Sequence, residues 1–167
     1  MNWLGRFSVN HALAAGGIAI ALLLGLNISE RMILGGPPGS MDLQFVYSAL
    51  QLQAMLGHWT AGEIFYLKVA LLVDIPLIVS YAFAICVWLF HWGQQRPRSL
   101  WLVLPLAAAL PDLTENFLQW QFLGRHLVSD GWTMTATLLS LSKWLALWIC
   151  LGCLLYGWVQ TRRRNVA

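Results

Sequence analysis

Four polar side chains follow one another at helical spacing in an otherwise apolar part of the chain. They occupy positions i, i+3, i+4 and i+7 and therefore share one face of a helix: Asp112, Glu115, Asn116 and Gln119. Two carboxyl groups on one buried face can divide the roles of acid and base when one of them stays neutral. We predict that Asp112 and Glu115 form a candidate catalytic pair, and that Asn116 and Gln119 belong to a ligand-binding site.

Two other segments bring polar residues to the same level. Asp74 and Tyr81 are seven residues apart, on one helix face, and Lys143 lies in the last apolar segment. At about 1.5 Å per residue, Asp74 and Lys143 both lie about 14 Å from one membrane border, and Asp112 about 16 Å. We predict that Asp74 orients or pairs with the ligand and that Tyr81 donates a hydrogen bond. Lys143 is expected to keep one carboxylate ionised rather than to serve as a Schiff-base amine.

The charges of this polar layer do not balance. If its three carboxyl groups were all ionised against Lys143 alone, the layer would carry a net charge of −2 in a low-dielectric setting. A proton, a cationic ligand or metal, or a neighbouring base such as Lys68 or Arg31 could offset that charge. The alternative to a site is a packing network, for which one buried pair would suffice.

The composition explains why these groups are conspicuous. The chain has 167 residues, of which 59% are hydrophobic and 10% are charged, whereas about a quarter of the residues of a soluble domain are charged. This composition excludes a soluble enzyme, a disordered chain and a nucleic-acid-binding protein. It indicates an integral membrane protein in which each buried charge costs several kcal/mol, on the order of 2.5–3.5 on insertion scales.

Four apolar segments are long enough to cross a bilayer. They are residues 9–34, 61–92, 99–123 and 133–158. Gly and Pro at 35–39 end the first segment, and the capping box Thr60-Ala61-Gly62-Glu63 begins the second. The predicted fold is therefore an all-α membrane protein, a single four-transmembrane-helix bundle.

Residues 35–60, here called the 35–60 segment, join the first two predicted spans. A second capping box at Ser48 and a glycine at position 57 predict a short helix over residues 49–56, lying on the outer membrane surface. The preceding residues 41–47 are predicted to be extended and to fold back over the mouth of the bundle.

The distribution of arginines predicts the orientation. Because the number of spans is even, the two termini share a side, and that side holds most of the basic residues near the spans. They are Arg6, Arg96, Arg98, Arg162, Arg163 and Arg164, against Arg31 and Arg125 on the other side. We therefore predict cytoplasmic termini.

No metal or cofactor site is expected. The four histidines lie at span ends or in loops, outside the acidic layer, which argues against a histidine-ligated zinc: His11, His58, His91 and His126. Cys150 and Cys153 lie in the inner half of a span, where apolar packing is the default role of cysteine.

Three short motifs carry a resemblance to known families. They are Met41-Asp42-Leu43-Gln44, Asp74-Ile75-Pro76 and Tyr81-Ala82-Phe83. With them the chain resembles an uncharacterised group of bacterial four-span proteins that have an acid-rich third span and a lysine in the fourth. This resemblance implies a location in the inner (plasma) membrane of a bacterium. It also resembles the EXPERA group, which includes sterol isomerases and the sigma-2 receptor. The latter resemblance implies a cavity for amphipathic amines or sterols, with Asp42 and Asp74 as its acids.

Three functions fit these observations. We expect an outward-facing intramembrane cavity that binds a membrane lipid or another small amphipathic molecule, with acid/base chemistry as an extension. The first alternative is a non-catalytic subunit or assembly factor, whose polar layer is structural and whose outer residues from Met41 to Trp59 dock a membrane protein partner. The second is proton- or cation-coupled transport, for which four spans would require a homo-oligomer.

Overall fold

The fold is helical. The computed structural model describes residues 4–92 and 100–164, and within these ranges it contains helices, turns and no strand. A 3-10 turn at Leu4–Arg6 precedes six α-helices. They are α1 (Val9–Leu34), α2 (Ser40–Leu43), α3 (Ala49–His58), α4 (Ala61–Trp92), α5 (Leu100–Leu123) and α6 (Asp130–Arg164).

Three of these helices are long and apolar enough to cross a membrane. The qualifying stretches are Val9–Leu34 of α1, Ala61–His91 of α4 and Asp130–Gln160 of α6. All three expose large apolar side chains, such as Ile28, Leu72 and Leu145, that a protein in water would bury. These features confirm the membrane character that the composition predicts.

The predicted boundaries of the first two long helices are confirmed. α1 ends at Gly35, which has a φ of 69° and whose amide donates to Arg31 O over 3.2 Å, a left-handed C-terminal cap. At the start of α4, the Glu63 amide donates to Thr60 Oγ1 over 3.3 Å, and the Thr60 amide donates to Glu63 Oε2 over 2.7 Å. The Thr60–Glu63 capping box is therefore formed in both directions.

The last helix is longer than predicted. The apolar segment 133–158 predicts only its middle, because α6 runs from Asp130 to Arg164. The Thr133 amide donates to Ser129 O over 3.1 Å, so helical hydrogen bonding starts in the polar turn before the apolar residues. Hydropathy marks the part of a helix that suits lipid, whereas backbone hydrogen bonds continue into the polar turns at both ends.

The 35–60 segment departs from its prediction at its beginning. Ser40–Leu43 forms the helical turn α2 instead of extended chain. The Gly39 amide donates to Asp42 Oδ2 over 2.7 Å, so the Asp42 carboxylate caps the start of α2. This local cap explains why the chain turns here rather than extends.

The helix α3 also differs in detail. Ser48 Oγ accepts from the Gln51 amide over 3.2 Å as predicted, but Gln51 Oε1 accepts from the Tyr47 amide over 3.1 Å, so the capping box at Ser48 is only half formed. The helix continues through Gly57 to His58. It ends there because the next residue, Trp59, is extended and buried, with its Nε1 donating to a carbonyl of the 35–60 segment over 2.9 Å.

The long helices pack around α4. This helix contacts α1, α5 and α6, and α5 packs extensively on α6. One end of α4, α5 and α6 is covered by the 35–60 segment through a hydrophobic cluster that includes Leu43, Leu52, Leu67 and Phe122. The polar layer predicted from the sequence lies between these helices, next to that cluster.

Candidate functional site

The centre of the site is a buried ion-pair network between α5 and α6. Lys143 Nζ lies 2.9 Å from Asp112 Oδ1 and 2.8 Å from Glu115 Oε2. The exposed fractions of the three residues are 4%, 5% and 0%, respectively. The predicted role of Lys143 as a partner of carboxylates agrees with this geometry, in which one ammonium group bridges two carboxylates.

Hydrogen bonds extend this network to α4 and along α5. The Tyr81 hydroxyl donates to Asp112 Oδ2 over 2.9 Å, and Gln119 Nε2 donates to Glu115 Oε1 over 2.6 Å. These contacts form one connected polar network across three helices, in the order Tyr81, Asp112, Lys143, Glu115 and Gln119. Each carboxylate oxygen in this network has a hydrogen-bond or ion-pair partner, although Glu115 Oε2 has only its ion pair with Lys143.

Asp74 and Asn116 form a separate pair beside this chain. Asn116 Nδ2 donates to Asp74 Oδ2 over 2.7 Å. Asp74 is partly exposed, and among the described residues its Oδ1 has no hydrogen-bond partner and no cation within 4 Å. Asp74 is therefore the acid of the layer that has no direct ion-pair partner among the described residues.

Local sequence explains why these groups meet. The i, i+3, i+4, i+7 spacing places all four polar residues of α5 on its buried face. On α6, Ala136 is buried two turns before Lys143 and Ser140 one turn before it, and their small side chains let α5 approach closely. Pro111, half-buried inside α5, directly precedes Asp112.

A pocket of about 370 Å³ adjoins the polar layer. One wall consists of the polar residues Asp74, Tyr81, Asp112, Asn116, Gln119 and Lys143. The other walls are mostly apolar and come from α1, α4, α6, the 35–60 segment and the last residue of α5: Ala19, Ile20, Leu23, Leu26, Met41, Leu43, Leu67, Ala70, Leu71, Leu77, Leu123, Trp144 and Leu147. The pocket is therefore amphipathic.

Two of the residues selected from the sequence do not line this pocket. Glu115 is completely buried and lies behind Lys143. Asp42 is exposed and lines a separate groove with Glu30 and Arg31. The other six selected residues all line the pocket.

The two bases considered as additional counter-ions do not join the layer. Lys68 Nζ lies 5.5 Å from the centre of the Trp120 ring, a cation–π distance. Arg31 is exposed near the end of α1. Within the described parts of the chain, the polar layer therefore contains one cation, Lys143.

Sequence reasoning missed three polar residues of the pocket, one of which is Ser40 in α2. Gln44 Oε1 accepts from Trp144 Nε1 over 3.3 Å, and both side chains line the pocket. Asn27 also lines it, from α1. A polar residue in the last third of a long apolar helix is a signal that could have drawn attention to Asn27, whereas the role of Gln44 depends on a contact with a residue 100 positions away.

The donor set does not resemble a metal site. Over residues 4–92 and 100–164, no three His, Cys, Asp or Glu side chains are grouped so as to hold a metal ion. The buried thiols of Cys86 and Cys150 are free.

Comparison of the chain with models of protein families, with curated proteins and with solved structures finds no match.

Proposed function

We propose that this integral membrane protein binds a small amphipathic molecule, lipid-like or amine-bearing, in its intramembrane pocket. The observation that carries the proposal is the division of the pocket into a polar wall and aliphatic walls. Ligand pockets are typically apolar with a few converging polar groups, and their volumes span about 300–1,000 Å³. The pocket volume of about 370 Å³ is near the lower limit of that range. It suits the polar head group of an amphiphile and part of its hydrocarbon chain.

Asp74 makes an amine the preferred head group. It faces the pocket and lacks a cationic partner, whereas Lys143 is shared by two other carboxylates. An ammonium group at Asp74 Oδ1 would offset one negative charge of the layer and gain a charge-assisted hydrogen bond. The hydrocarbon chain of the ligand would then pack against the apolar residues of α1.

Acid/base chemistry on the bound molecule would fall on Asp112 and Asp74, since both line the pocket. Glu115 has no surface in the pocket, so we assign it the role of positioning Lys143. Tyr81 lines the pocket and donates to Asp112, which orients that carboxylate. In this scheme Asn116 holds Asp74, and Gln119 holds Glu115.

One observation favours a structural role for part of the layer. Lys143 is fully buried between two carboxylates and ties α5 to α6. A non-catalytic membrane subunit or assembly factor would need only this ion-pair network, to hold its helices together. We therefore divide the layer into a structural part, Lys143 with Glu115, and a ligand-facing part, Asp74 with Asn116. Asp112 belongs to both, because it pairs with Lys143 and also lines the pocket.

Replacement of Asp74 by asparagine tests the proposed site. In lipid nanodiscs, a diazirine-bearing alkylamine should label pocket residues of the wild-type protein on illumination. Asp74→Asn should weaken its binding by about 10-fold or more, because a hydrogen bond to a charged group contributes about 1.5–3 kcal/mol. Binding is measured from probe titrations by mass spectrometry of the labelled peptides.

Glu63→Gln is the matched control for this experiment. It removes a carboxylate from the same helix, and glutamine can keep the capping box with Thr60. It should bind the probe like the wild type. Equal labelling of the Asp74→Asn and wild-type proteins would refute Asp74 as the head-group site, and absence of labelling in the wild type would refute an amine ligand.

We infer further that α5 is a fourth span and that both termini are cytoplasmic. The 24 residues of α5 extend over about 36 Å, enough for a hydrocarbon core of about 30 Å, and its polar face is covered by α4 and α6. In this topology α3 lies at the outer surface of a bacterial inner membrane. The resemblance to the bacterial four-span group and to the EXPERA group fits such a protein, with Asp74 as the cavity acid and Asp42 as a helix cap.

Reporter fusions test this topology. Green fluorescent protein fused after Ala167 should fluoresce in a bacterial host, and alkaline phosphatase inserted in the 35–60 segment should be active, because these reporters mature in the cytoplasm and the periplasm, respectively. The same phosphatase fused in the stretch between α4 and α5 should be inactive. An active fusion at that stretch would contradict the four-span topology.

A further inference from the structure

One side of the pocket is not closed by helix packing. α1 packs along α4 and makes no comparable contact with α5 or α6 over the described residues. Nevertheless α1 and α6 both line the pocket, α1 through Ile20 and Leu23 and α6 through Trp144 and Leu147. The space between α1 and α6 is therefore part of the pocket rather than a packed interface.

The residues at this gap face the pocket and the outside at the same time. Ile20 is 61% exposed and Leu23 is 51% exposed, and both line the pocket. They lie 11 to 14 residues from the end of α1 at Leu34, which is about 16–21 Å along the helix. At that distance from a membrane border the gap faces hydrocarbon rather than water.

On its other sides the pocket is bordered by the helices and by the 35–60 segment, beside which a second groove shares Asn27 and Met41 with the pocket. The 35–60 segment covers one end and is fastened to two helices, by Ser40 to Glu30 of α1 over 2.7 Å and by the Val46 carbonyl to Thr137 of α6 over 2.9 Å. The polar wall itself closes the α5 side. Towards the other end of the helices, Ile78, Val87, Ala108 and Cys150 are all buried.

We infer that the ligand is a single-chain amphiphile dissolved in the membrane, which enters and leaves the pocket sideways between α1 and α6. This inference rests on the proposed function. The polar head reaches Asp74 at the end of the path, and the chain lies along Ile20 and Leu23 with its end in the lipid. The 35–60 segment shields the head from water and does not have to open.

The test measures how fast a probe reaches the pocket. Nanodiscs that contain the protein are mixed with vesicles loaded with the diazirine-bearing alkylamine, and samples are illuminated at successive times. Ile20→Trp and Leu23→Trp place a larger side chain at the gap and should slow labelling of pocket peptides several-fold, whereas Leu23→Ala should accelerate it. Leu24→Trp is the matched control, because Leu24 is 56% exposed on the same helix and does not line the pocket.

The outcomes separate the route from the site. Wild-type rates in Ile20→Trp, Leu23→Trp and Leu23→Ala would overturn the sideways route and leave the binding site intact. Faster labelling after Gln44→Ala, without any change in the α1 variants, would show access through the 35–60 segment instead. If the wild-type protein does not bind the probe at any time point, the proposed function itself is overturned. Because Leu23→Ala makes the side chain smaller, the test does not depend on the folding of the tryptophan variants.

Discussion

Lys143→Met is expected to lower the free energy of unfolding by about 3–5 kcal/mol, the usual cost of removing one partner of a buried ion pair. Methionine has a length similar to that of lysine but no charge, so the Asp112 and Glu115 carboxylates would lie close together without their shared cation. Unfolding in detergent, followed by tryptophan fluorescence as the denaturing detergent is increased, measures the change.

Two further variants show whether the loss comes from the unpaired charges. The triple variant removes all three charges together by combining Lys143→Met with Asp112→Asn and Glu115→Gln. It should recover most of the stability, because uncharged residues of similar shape can replace a buried ion network at little cost. Lys68→Met serves as the control cation: Lys68 is half-buried and its ammonium group lies over the Trp120 ring, so the expected loss is about 1 kcal/mol or less. Equal losses for Lys68→Met and Lys143→Met would contradict the buried network.

Phe122→Ala should cost about 3–5 kcal/mol of unfolding free energy, as expected for truncation of a fully buried phenylalanine. Phe122 is 0% exposed and packs in the cluster that joins the 35–60 segment to α4, α5 and α6. The cavity left by the ring would weaken the attachment of that segment. Unfolding in detergent measures the total loss, and limited proteolysis within the 35–60 segment reports the local effect.

Phe117→Ala provides a matched control on the same helix. Phe117 is 59% exposed and points away from the other helices, so in a bilayer lipid would fill the space of the lost ring at little cost. We expect a change of about 0.5 kcal/mol or less. Similar losses for the two variants would contradict the burial of Phe122 and the exposure of Phe117 on opposite faces of α5.

The sequence by itself determined the class of protein and the main helices. The bounds of α1 and α4 could be predicted closely because they depend on local properties of the sequence. These properties are the length of an apolar segment, the glycine and proline residues that interrupt it, and the capping motifs. The buried face of α5 could be predicted because charged and amide side chains in lipid must turn towards protein. Turns were predicted less well: α2 and the ends of α3 and α6 depend on hydrogen bonds that hydropathy does not record.

The tertiary structure decided how the polar groups are divided. Asp112 and Lys143 are 31 positions apart, and their contact depends on the rotation and depth of two helices relative to each other. The same relative placement puts Glu115 behind Lys143, leaves Asp74 facing the pocket, and brings Gln44 to Trp144. Residue spacing within one helix determines which side chains share a face, but only packing determines which faces meet, which acid finds the lysine and where an open gap remains.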